Sequence, residues 1–360
     1  MNTRALDHNF PGYLDATSSL RITFATPRDS RTGEWLRDTT PHEAIARVGL
    51  AYAICRHAQQ AAARLAIEAA CGTTHGAQDS SSAQRVHDEW LREHACNLML
   101  SWPKLLGHPE EPALPRVFMR AGQRTPASRE TWADILQREV LGMPAADFLA
   151  MDAPALDAWC TDAGTKTAAR FRAWRGNPAC HDTSPPPMLP RLCDWDSPMA
   201  AMLAAHMRRE PDFCLHPHWQ GRFPETGAYA RQHAHPLLRA WLGISGNDPA
   251  ARMLARLVEL AAAANGQFGA MTLRAWELDA GEGLAAVETS RGPLLHLVRV
   301  RHGRIVAYHV LAPTEWNFHP RGLLSRVATM RDRIRLETSI QAWVVALDPC
   351  ETCRVEVLHA

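Results

Sequence analysis

The chain has 360 residues and a mass of 40.0 kDa, with 46% hydrophobic and 21% charged residues. This composition is typical of a globular protein with a large core, and it excludes collagenous, coiled-coil and intrinsically disordered chains. The 39 basic residues nearly balance the 38 acidic residues, so charge gives no reason to expect a nucleic acid or an anionic membrane as a partner.

The cellular location can be predicted from the N-terminus and from the cysteines. The first eight residues lack the apolar segment of a secretory signal, and no stretch approaches the roughly 18 apolar residues of a membrane span. We therefore expect a cytoplasmic protein without a membrane span. In that compartment, the nine cysteines should be thiols or metal ligands rather than disulfides.

The N-terminal two thirds of the chain have helical patterns. Thr40, Pro41 and Glu43 form a capping signal before a long helix, or a kinked pair of helices, that ends near Gly72. Its apolar stripe includes Cys55, which should face the core. A Ser-rich break at 80–82 and a helix reaching Pro103 come next. Weaker helical patterns follow, flanked by Pro-rich linkers at 109–115 and 184–190. The remaining predicted helices in this part are 197–209, opened by Ser197 and Pro198, about 225–242, and 248–265, opened by Asp248 and Pro249.

The pattern then changes to the alternation of β-strands. The predicted strands are 271–278, 284–289, 294–300 and 305–311, with a turn at His302 and Gly303. Helical segments at about 321–333 and 336–347 lead to the C-terminal tail. We predict a mainly helical α+β fold with a small antiparallel sheet near the C-terminus. The expected organisation is one domain, 1–360, with a helical part, 40–265, and a part with the sheet, C-terminal helices and tail, 266–360.

The tail contains the sharpest chemical motif, Cys350-Glu351-Thr352-Cys353. Two thiols separated by two residues can bind one soft metal ion or form a reversible disulfide. A thioredoxin-like role is disfavoured because the pair does not follow a β-strand of a βαβ unit. A structural zinc site would need two more ligands, and the chain has no second Cys-x-x-Cys pair.

Other motifs are weaker. Cys214, His216 and His218 carry donors that suit zinc or iron, but their spacing matches no closed site, so the simpler interpretation is a packed thiol beside loop histidines. Signatures of serine hydrolases, phosphate-binding loops and dinucleotide-binding turns are absent from the sequence. The segment from Trp316 to Arg321 could form a pocket wall or only a packed turn.

Read together and in order, these segments resemble the large subunit of nickel–iron hydrogenases, and more closely its shortened maturation relatives, the hydrogenase expression/formation proteins. The strongest similarity lies in 312–321 and 348–353. The segments 288–294 and 221–231 resemble two further large-subunit stretches, and 54–68 resembles the helix that carries the family's first cysteine pair. Residues 106–196 have no counterpart that we recognise, so this region is divergent.

The resemblance implies a metal site that has lost one ligand. Hydrogenases hold nickel and iron with two Cys-x-x-Cys pairs, whereas Tyr52 occupies the first position of the first pair here. Cys55 and Cys353 match the cysteines that bridge the two metals, so the iron side is retained and no nickel is expected. Gln59, Gly322 and Glu356 also replace residues that are usual in the family.

The resemblance therefore implies a non-enzymatic scaffold that transiently holds iron with cyanide and carbon monoxide ligands. The implied metal ligands are Cys55, Cys350 and Cys353, and the implied pocket donors toward the diatomic ligands are Arg291 and Thr314. Weaker pocket candidates are Trp316, His319 and Arg321. The implied partners are other hydrogenase maturation proteins and the hydrogenase large subunit. The sequence ends at Ala360 without the C-terminal extension of true large subunits, so we expect no processing.

Two alternatives from other classes stay open at this point. One is a redox or metal enzyme that uses Cys350 and Cys353 with Cys55, such as a degenerate hydrogenase. The other is an interaction protein stabilised by zinc at Cys214 and its neighbouring histidines.

Overall fold

The computed structural model describes most of the chain. The described residues are 7–10, 18–24, 31–52, 54–73, 80–120, 131–175, 185–267, 272–327, 333–350 and 353–359. The predicted fold class is confirmed, because helices dominate and an antiparallel sheet of four strands precedes the C-terminal helices.

The N-terminal part contains two strands and a kinked pair of helices. Its elements are β1 (Asp7–Phe10), β2 (Ser18–Phe24), α1 (Arg31–Leu36), α2 (Pro41–Ala51) and α3 (Arg56–Ala70). The capping signal is confirmed, since the Thr40 hydroxyl accepts from the Glu43 amide and the Glu43 carboxylate accepts from the Thr40 amide. The kink places Cys55 at the N-cap of α3.

The next helix contains a local change of pitch. It consists of α4 (Ser80–Cys96), a π-helical turn (Asn97–Ser101) and α5 (Trp102–Leu105). Pro103 has no N–H to donate to the carbonyl of Met99, and the amide of Glu111 donates to that carbonyl instead, at 2.8 Å. The three serines, expected in a break, lie in the first turn of α4.

The divergent region is helical and belongs to the main core. Its elements are α6 (Ala113–Arg120), α7 (Trp132–Ile135), a π-helical turn (Leu136–Leu141), α8 (Ala145–Leu149), α9 (Ala153–Asp162) and α10 (Lys166–Trp174). The predicted linker at 109–115 is too long, because α6 begins at Ala113. Phe171 packs edge-on against Trp102 at 4.9 Å and against Trp241 at 5.2 Å. The region is therefore anchored to helices that precede it and follow it in the sequence.

Four helices lead to the sheet. They are α11 (Ser197–Arg209), α12 (Ala228–Gln232), α13 (Pro236–Ser245) and α14 (Pro249–Ala264). Asp248 caps α14 as predicted, but Asp196 rather than Ser197 caps α11. The single helix predicted near 225–242 is wrong, because Pro236 begins a new helix after Gln232.

The four-stranded sheet is a meander. Its strands are β3 (Leu273–Asp279), β4 (Glu282–Thr289), β5 (Gly292–Arg301) and β6 (Arg304–Leu311), paired in that order. Helix α3 packs closely on it at Gly283, where a Cβ atom would lie 2.2 Å from the carbonyl oxygen of Ala66. This close approach brings Cys55, at the start of α3, toward the ends of the central strands.

The C-terminal part differs most from the prediction. Its elements are α15 (Pro313–Asn317), α16 (Leu323–Val327), α17 (Arg333–Leu347) and β7 (Cys353–His359), while 328–332 of the predicted helix lie outside the described residues. Strand β7 pairs with β2 in a second sheet, of order β1-β2-β7, which the sequence did not predict. None of the helices in the described part of the chain combines the length and apolar character needed to cross a membrane.

Candidate functional site

Three segments singled out in the sequence meet at one point of the fold. The amide of Thr226 donates to Oδ1 of Asn317 at 2.9 Å, and Nδ2 of Asn317 donates to the carbonyl of Arg291 at 3.4 Å. Gly292 has a φ of +126°, and a Cβ atom there would lie 2.4 Å from Oγ1 of Thr226. The segments 221–231, 288–294 and 312–321 are thus packed together through their own polar groups.

Arg291 ties the C-terminal segment to this point. It lies in the turn between β4 and β5 and is only 6% exposed. Its Nε donates to the carbonyl of Asp348 at 2.6 Å, and its Nη2 lies 3.1 Å from the Asp348 carboxylate and 3.0 Å from Glu93 of α4. Although burial opposes the charge, Asp348 and Glu93 raise the pKa of Arg291 above its ordinary value, so it is a permanent cation.

A second arginine, Arg256 of α14, also binds the C-terminal segment. Arg256 donates to the carbonyl of Ala346 at 3.2 Å, and its Nη1 lies 3.5 Å from the Asp348 carboxylate. Nη1 also donates to Nδ1 of His94, whose Nε2 donates to Glu259 at 2.7 Å. Burial lowers the pKa of His94 to about 4, so this histidine is a neutral connector within the network.

Cys55 lies at the start of α3, where several groups fix its position. The carboxylate of Glu89, from α4, accepts hydrogen bonds from the amides of His57 and Ala58 at 2.9 and 3.1 Å. It thereby caps the first turn of α3 in place of the Cys55 side chain, which makes no capping hydrogen bond. Nε2 of Gln59 donates to the Cys55 sulfur at 3.7 Å. The Cys55 sulfur thus accepts a hydrogen bond from Gln59 and does not cap its own helix.

Behind Cys55 lies a chain of buried hydrogen bonds. Oε1 of Gln59 accepts from Nε2 of His296 at 2.8 Å, and Nδ1 of His296 accepts from the hydroxyl of Tyr308 at 2.7 Å. Burial lowers the pKa of His296 to about 3, so this imidazole is neutral and donates through one nitrogen only. The chain fixes the Gln59 amide with its N–H directed at the sulfur.

Cys350 lies near Cys55, although the two residues come from opposite ends of the sequence. Burial and the electrostatic influence of the nearby Cys350 raise the pKa of Cys55 to about 12, while Arg291 lowers it. Oγ1 of Thr314 donates to the Cys350 sulfur at 3.3 Å and accepts from the Cys350 amide at 3.4 Å. Four of the predicted site residues, Cys55, Arg291, Thr314 and Cys350, are thus brought together.

Cys353 has a different setting. It is partly buried and opens β7, where it pairs with Phe24 of β2. Residues 351–352, which join it to Cys350, lie outside the described residues. Its participation in the same metal site stays a prediction.

Two of the three weaker pocket candidates contact one phenylalanine ring, and the third is buried elsewhere. Trp316 is buried in a core cluster with Phe213. His319 stacks on Phe223 at 4.2 Å, and the guanidinium of Arg321 lies 4.3 Å from the centre of the same ring. Arg321 lines an open groove of about 490 Å³ together with Phe223, Arg222 and Arg326, so its surroundings differ from those of the cysteines.

Sequence reasoning missed the residues that support the site. Glu89, Glu93 and Arg256 lie on helices whose sequences resemble ordinary amphipathic segments, so only the tertiary structure reveals their contacts. Cys96 is partly buried at the end of α4, and burial followed by the charge of Glu93 raises its pKa to about 11. Cys214 is also partly buried, and its pKa is raised to about 12 by burial, which agrees with its interpretation as a packed thiol.

Comparison with known proteins identifies the family. Residues 238–355 match the model of the nickel-dependent hydrogenase family. The hydrogenase expression/formation protein HupK of Rhizobium leguminosarum bv. viciae is 31% identical over 353 residues, which cover 89% of this chain and 88% of that protein. This chain belongs to the hydrogenase expression/formation protein family. Another member, HoxV of Cupriavidus necator, is 28% identical over 332 residues, with 85% of each chain covered.

The fold of this expression/formation protein is that of a hydrogenase large subunit. The reduced, active form of the Ni-Fe-Se hydrogenase from Desulfomicrobium baculatum superposes with a TM-score of 0.52 at 14% sequence identity. The alignment covers 92% of this chain and 96% of that chain. The family resemblance inferred from the motifs is therefore confirmed, as is the large-subunit-like fold.

Proposed function

We propose that this protein acts in the formation of a nickel–iron hydrogenase, as a scaffold that holds the iron fragment of the active site and passes it to the hydrogenase large subunit. The fragment is iron with cyanide and carbon monoxide ligands, and it is cargo rather than a resident cofactor. The names of the relatives support a role in hydrogenase formation. The observation that carries the finer proposal is the proximity of Cys55 and Cys350 beside Arg291.

The donor set suits low-spin iron. Thiolates are the soft ligands that such an ion prefers, and both sulfurs are partly buried. Cys55 must lose a proton to bind, since its pKa of about 12 makes it a thiol at neutral pH. Iron binding should therefore release this proton, and loading should improve as the pH rises.

Arg291 offsets the negative charge that the loaded site would carry. Two thiolates and cyanide ligands add negative charge in a region of low dielectric, where an unpaired charge is costly. The guanidinium is held in place by Asp348 and Glu93, so it need not move to stabilise the cargo. Release of the segment that carries Cys350 would require the contacts of Asp348 with both Arg291 and Arg256 to break.

Infrared spectroscopy of protein purified without oxygen, from cells that make hydrogenase, tests the proposal. We expect cyanide and carbon monoxide stretching bands in the wild type and their loss or strong weakening in Cys55→Ser and Cys350→Ser. The same loss in Cys353→Ser would identify Cys353 as a third thiolate ligand of the iron. The matched control is Cys71→Ser, which changes an exposed thiol at the other end of α3 and should leave the bands unchanged.

Two results would contradict the proposal. Iron-loaded protein without these bands would show that the bound iron carries no cyanide or carbon monoxide. Hydrogen uptake by the isolated chain with an artificial electron acceptor, or retention of nickel, would instead support a degenerate hydrogenase.

A further inference from the structure

Outside the cysteine site, the described residues include a compact group of metal-binding side chains. His206 lies in the last turn of α11, Glu210 follows as its C-cap, and His218 lies in the next loop. One donor atom from each of the three residues lies within 4.8 Å of the other two. We propose that His206, Glu210 and His218 form a binding site for a divalent transition-metal ion, with zinc as the expected occupant.

Local structure places the three side chains on one side of the helix end. His206 and Glu210 are four residues apart, a spacing that puts two side chains on the same helix face. His218 is held from the loop by a tight turn in which Trp219 and Arg222 exchange two backbone hydrogen bonds of 2.9 Å. The loop therefore delivers His218 to the helix by a defined backbone path.

The donor atoms are near enough to one another for side-chain adjustment to bring them around one ion, since no two lie more than 4.8 Å apart. Nδ1 of His206 lies 2.5 Å from Oε1 of Glu210, and Nε2 of His218 lies 3.3 Å from Oε2 of the same carboxylate. Zinc bonds to nitrogen and oxygen are about 2.1 Å long, so neighbouring ligands of a tetrahedral ion lie about 3.4 Å apart. Side-chain rotations that open the contact between His206 and Glu210 would allow all three side chains to coordinate one metal ion.

The remaining surroundings also suit a metal ion. Phe213 stacks on the His206 ring at 5.0 Å and meets the His218 ring edge-on at 5.4 Å, which fixes both imidazoles. Two imidazoles and a carboxylate form the donor set of many zinc sites, and they leave a fourth position for water or another ligand. Each of the three side chains retains about a third of its surface or more exposed to solvent, so an ion can enter.

An occupied site would clamp the loop to α11. The clamped loop carries Phe213, which lies 6.4 Å from Trp316 in the same core cluster. The ion would therefore stabilise the core cluster against which α15 packs. Helix α15 carries Thr314, so the ion would act near the cysteine site without contributing a ligand to it.

Titration calorimetry with zinc chloride tests the site in the full-length chain. The parent protein carries Cys55→Ser, Cys350→Ser and Cys353→Ser, so that the thiols of the proposed iron site do not compete. We expect about one zinc ion per chain and a rise in the unfolding temperature on binding. Loss of a residue that only orients a ligand weakens metal binding by about 10- to 100-fold, so His218→Ala and Glu210→Gln should each weaken it at least that much.

The matched control is His216→Ala, two residues from His218 and outside the group. It should bind zinc as the parent does. Absence of saturable binding in the parent, or equal affinity in the parent, His218→Ala and Glu210→Gln, would show only a hydrogen-bonded cluster and overturn the proposal. Glu210→Gln keeps the shape of the side chain, so it separates loss of a ligand from loss of folding.

Discussion

Asp348 has an unusual backbone conformation for a residue with a side chain. Its φ of +54° lies in the left-handed region, which aspartate and asparagine tolerate better than most residues. Its carboxylate lies close to Arg291 and Arg256, and its carbonyl accepts from Arg291. These contacts hold the turn that presents Cys350, two residues later.

Replacing this carboxylate should loosen the turn. Asp348→Asn keeps the tolerance for positive φ but leaves Arg291 and Arg256 with one fewer counter-ion. Removing one partner of a buried ion pair costs about 3–5 kcal/mol, and the slight exposure of Asp348 favours a loss of about 3 kcal/mol in the free energy of unfolding. Urea unfolding measures this loss of free energy. The control Asp279→Asn, at an exposed ion pair with Arg208, should change stability by less than about 0.5 kcal/mol; equal losses would contradict the role of Asp348.

Thr314 offers a more local test, because its hydroxyl contacts the Cys350 sulfur. Thr314→Val keeps the shape and removes both hydrogen bonds, at a cost of about 1 kcal/mol each. In the loaded protein, a thiolate without this hydrogen bond donates more charge to iron, which increases back-donation and weakens the C–O bond. We expect the carbon monoxide band to move to lower frequency. An unchanged band in fully loaded Thr314→Val would show that Cys350 is not an iron ligand.

At the scale of elements, the start of α3 depends on a carboxylate from α4. Glu89 accepts from two amides of the first turn of α3, and burial raises its pKa to about 7. Between pH 4.5 and 7 the folded chain therefore holds a proton that the unfolded chain releases, so this group loses its stabilising effect as the pH rises. The contact places a titratable group next to Cys55.

The direction of this pH dependence can be measured with Glu89→Gln. Relative to the variant, the wild type should lose about 2–3 kcal/mol of unfolding free energy between pH 5 and pH 8. The control is Glu43→Gln, because hydrogen bonds from Thr40 lower the pKa of Glu43 and its effect is complete above pH 5. If the difference in unfolding free energy between wild type and Glu89→Gln stays constant with pH, the role of Glu89 as a buried, titrating cap is contradicted.

The elements that the sequence predicted correctly are those with local signals. The capping signal at Thr40 and Glu43 and the four strands around the His302 turn follow from short patterns. The second sheet was missed because β7 pairs with β2 from the other end of the chain. No local pattern reports such a pairing.

At the scale of the whole molecule, the order of the motifs carried more information than any single motif. Each of Cys55, Arg291 and Cys350 alone fits an ordinary packed or surface residue, yet the fold brings all three together. The supporting network of Glu93, Arg256 and their partners could not be predicted, because its ion pairs join residues from distant helices and the tail. The large-subunit-like fold thus explains why the segments occur in this order.

The central claim is that Cys55 and Cys350 bind the same iron ion. X-ray absorption at the iron edge, on protein purified without oxygen, measures the ligands of that ion directly. We predict sulfur neighbours together with short bonds to carbon, and fewer sulfur neighbours in Cys55→Ser and in Cys350→Ser than in the wild type. An iron site whose sulfur coordination is the same in all three proteins would contradict the claim.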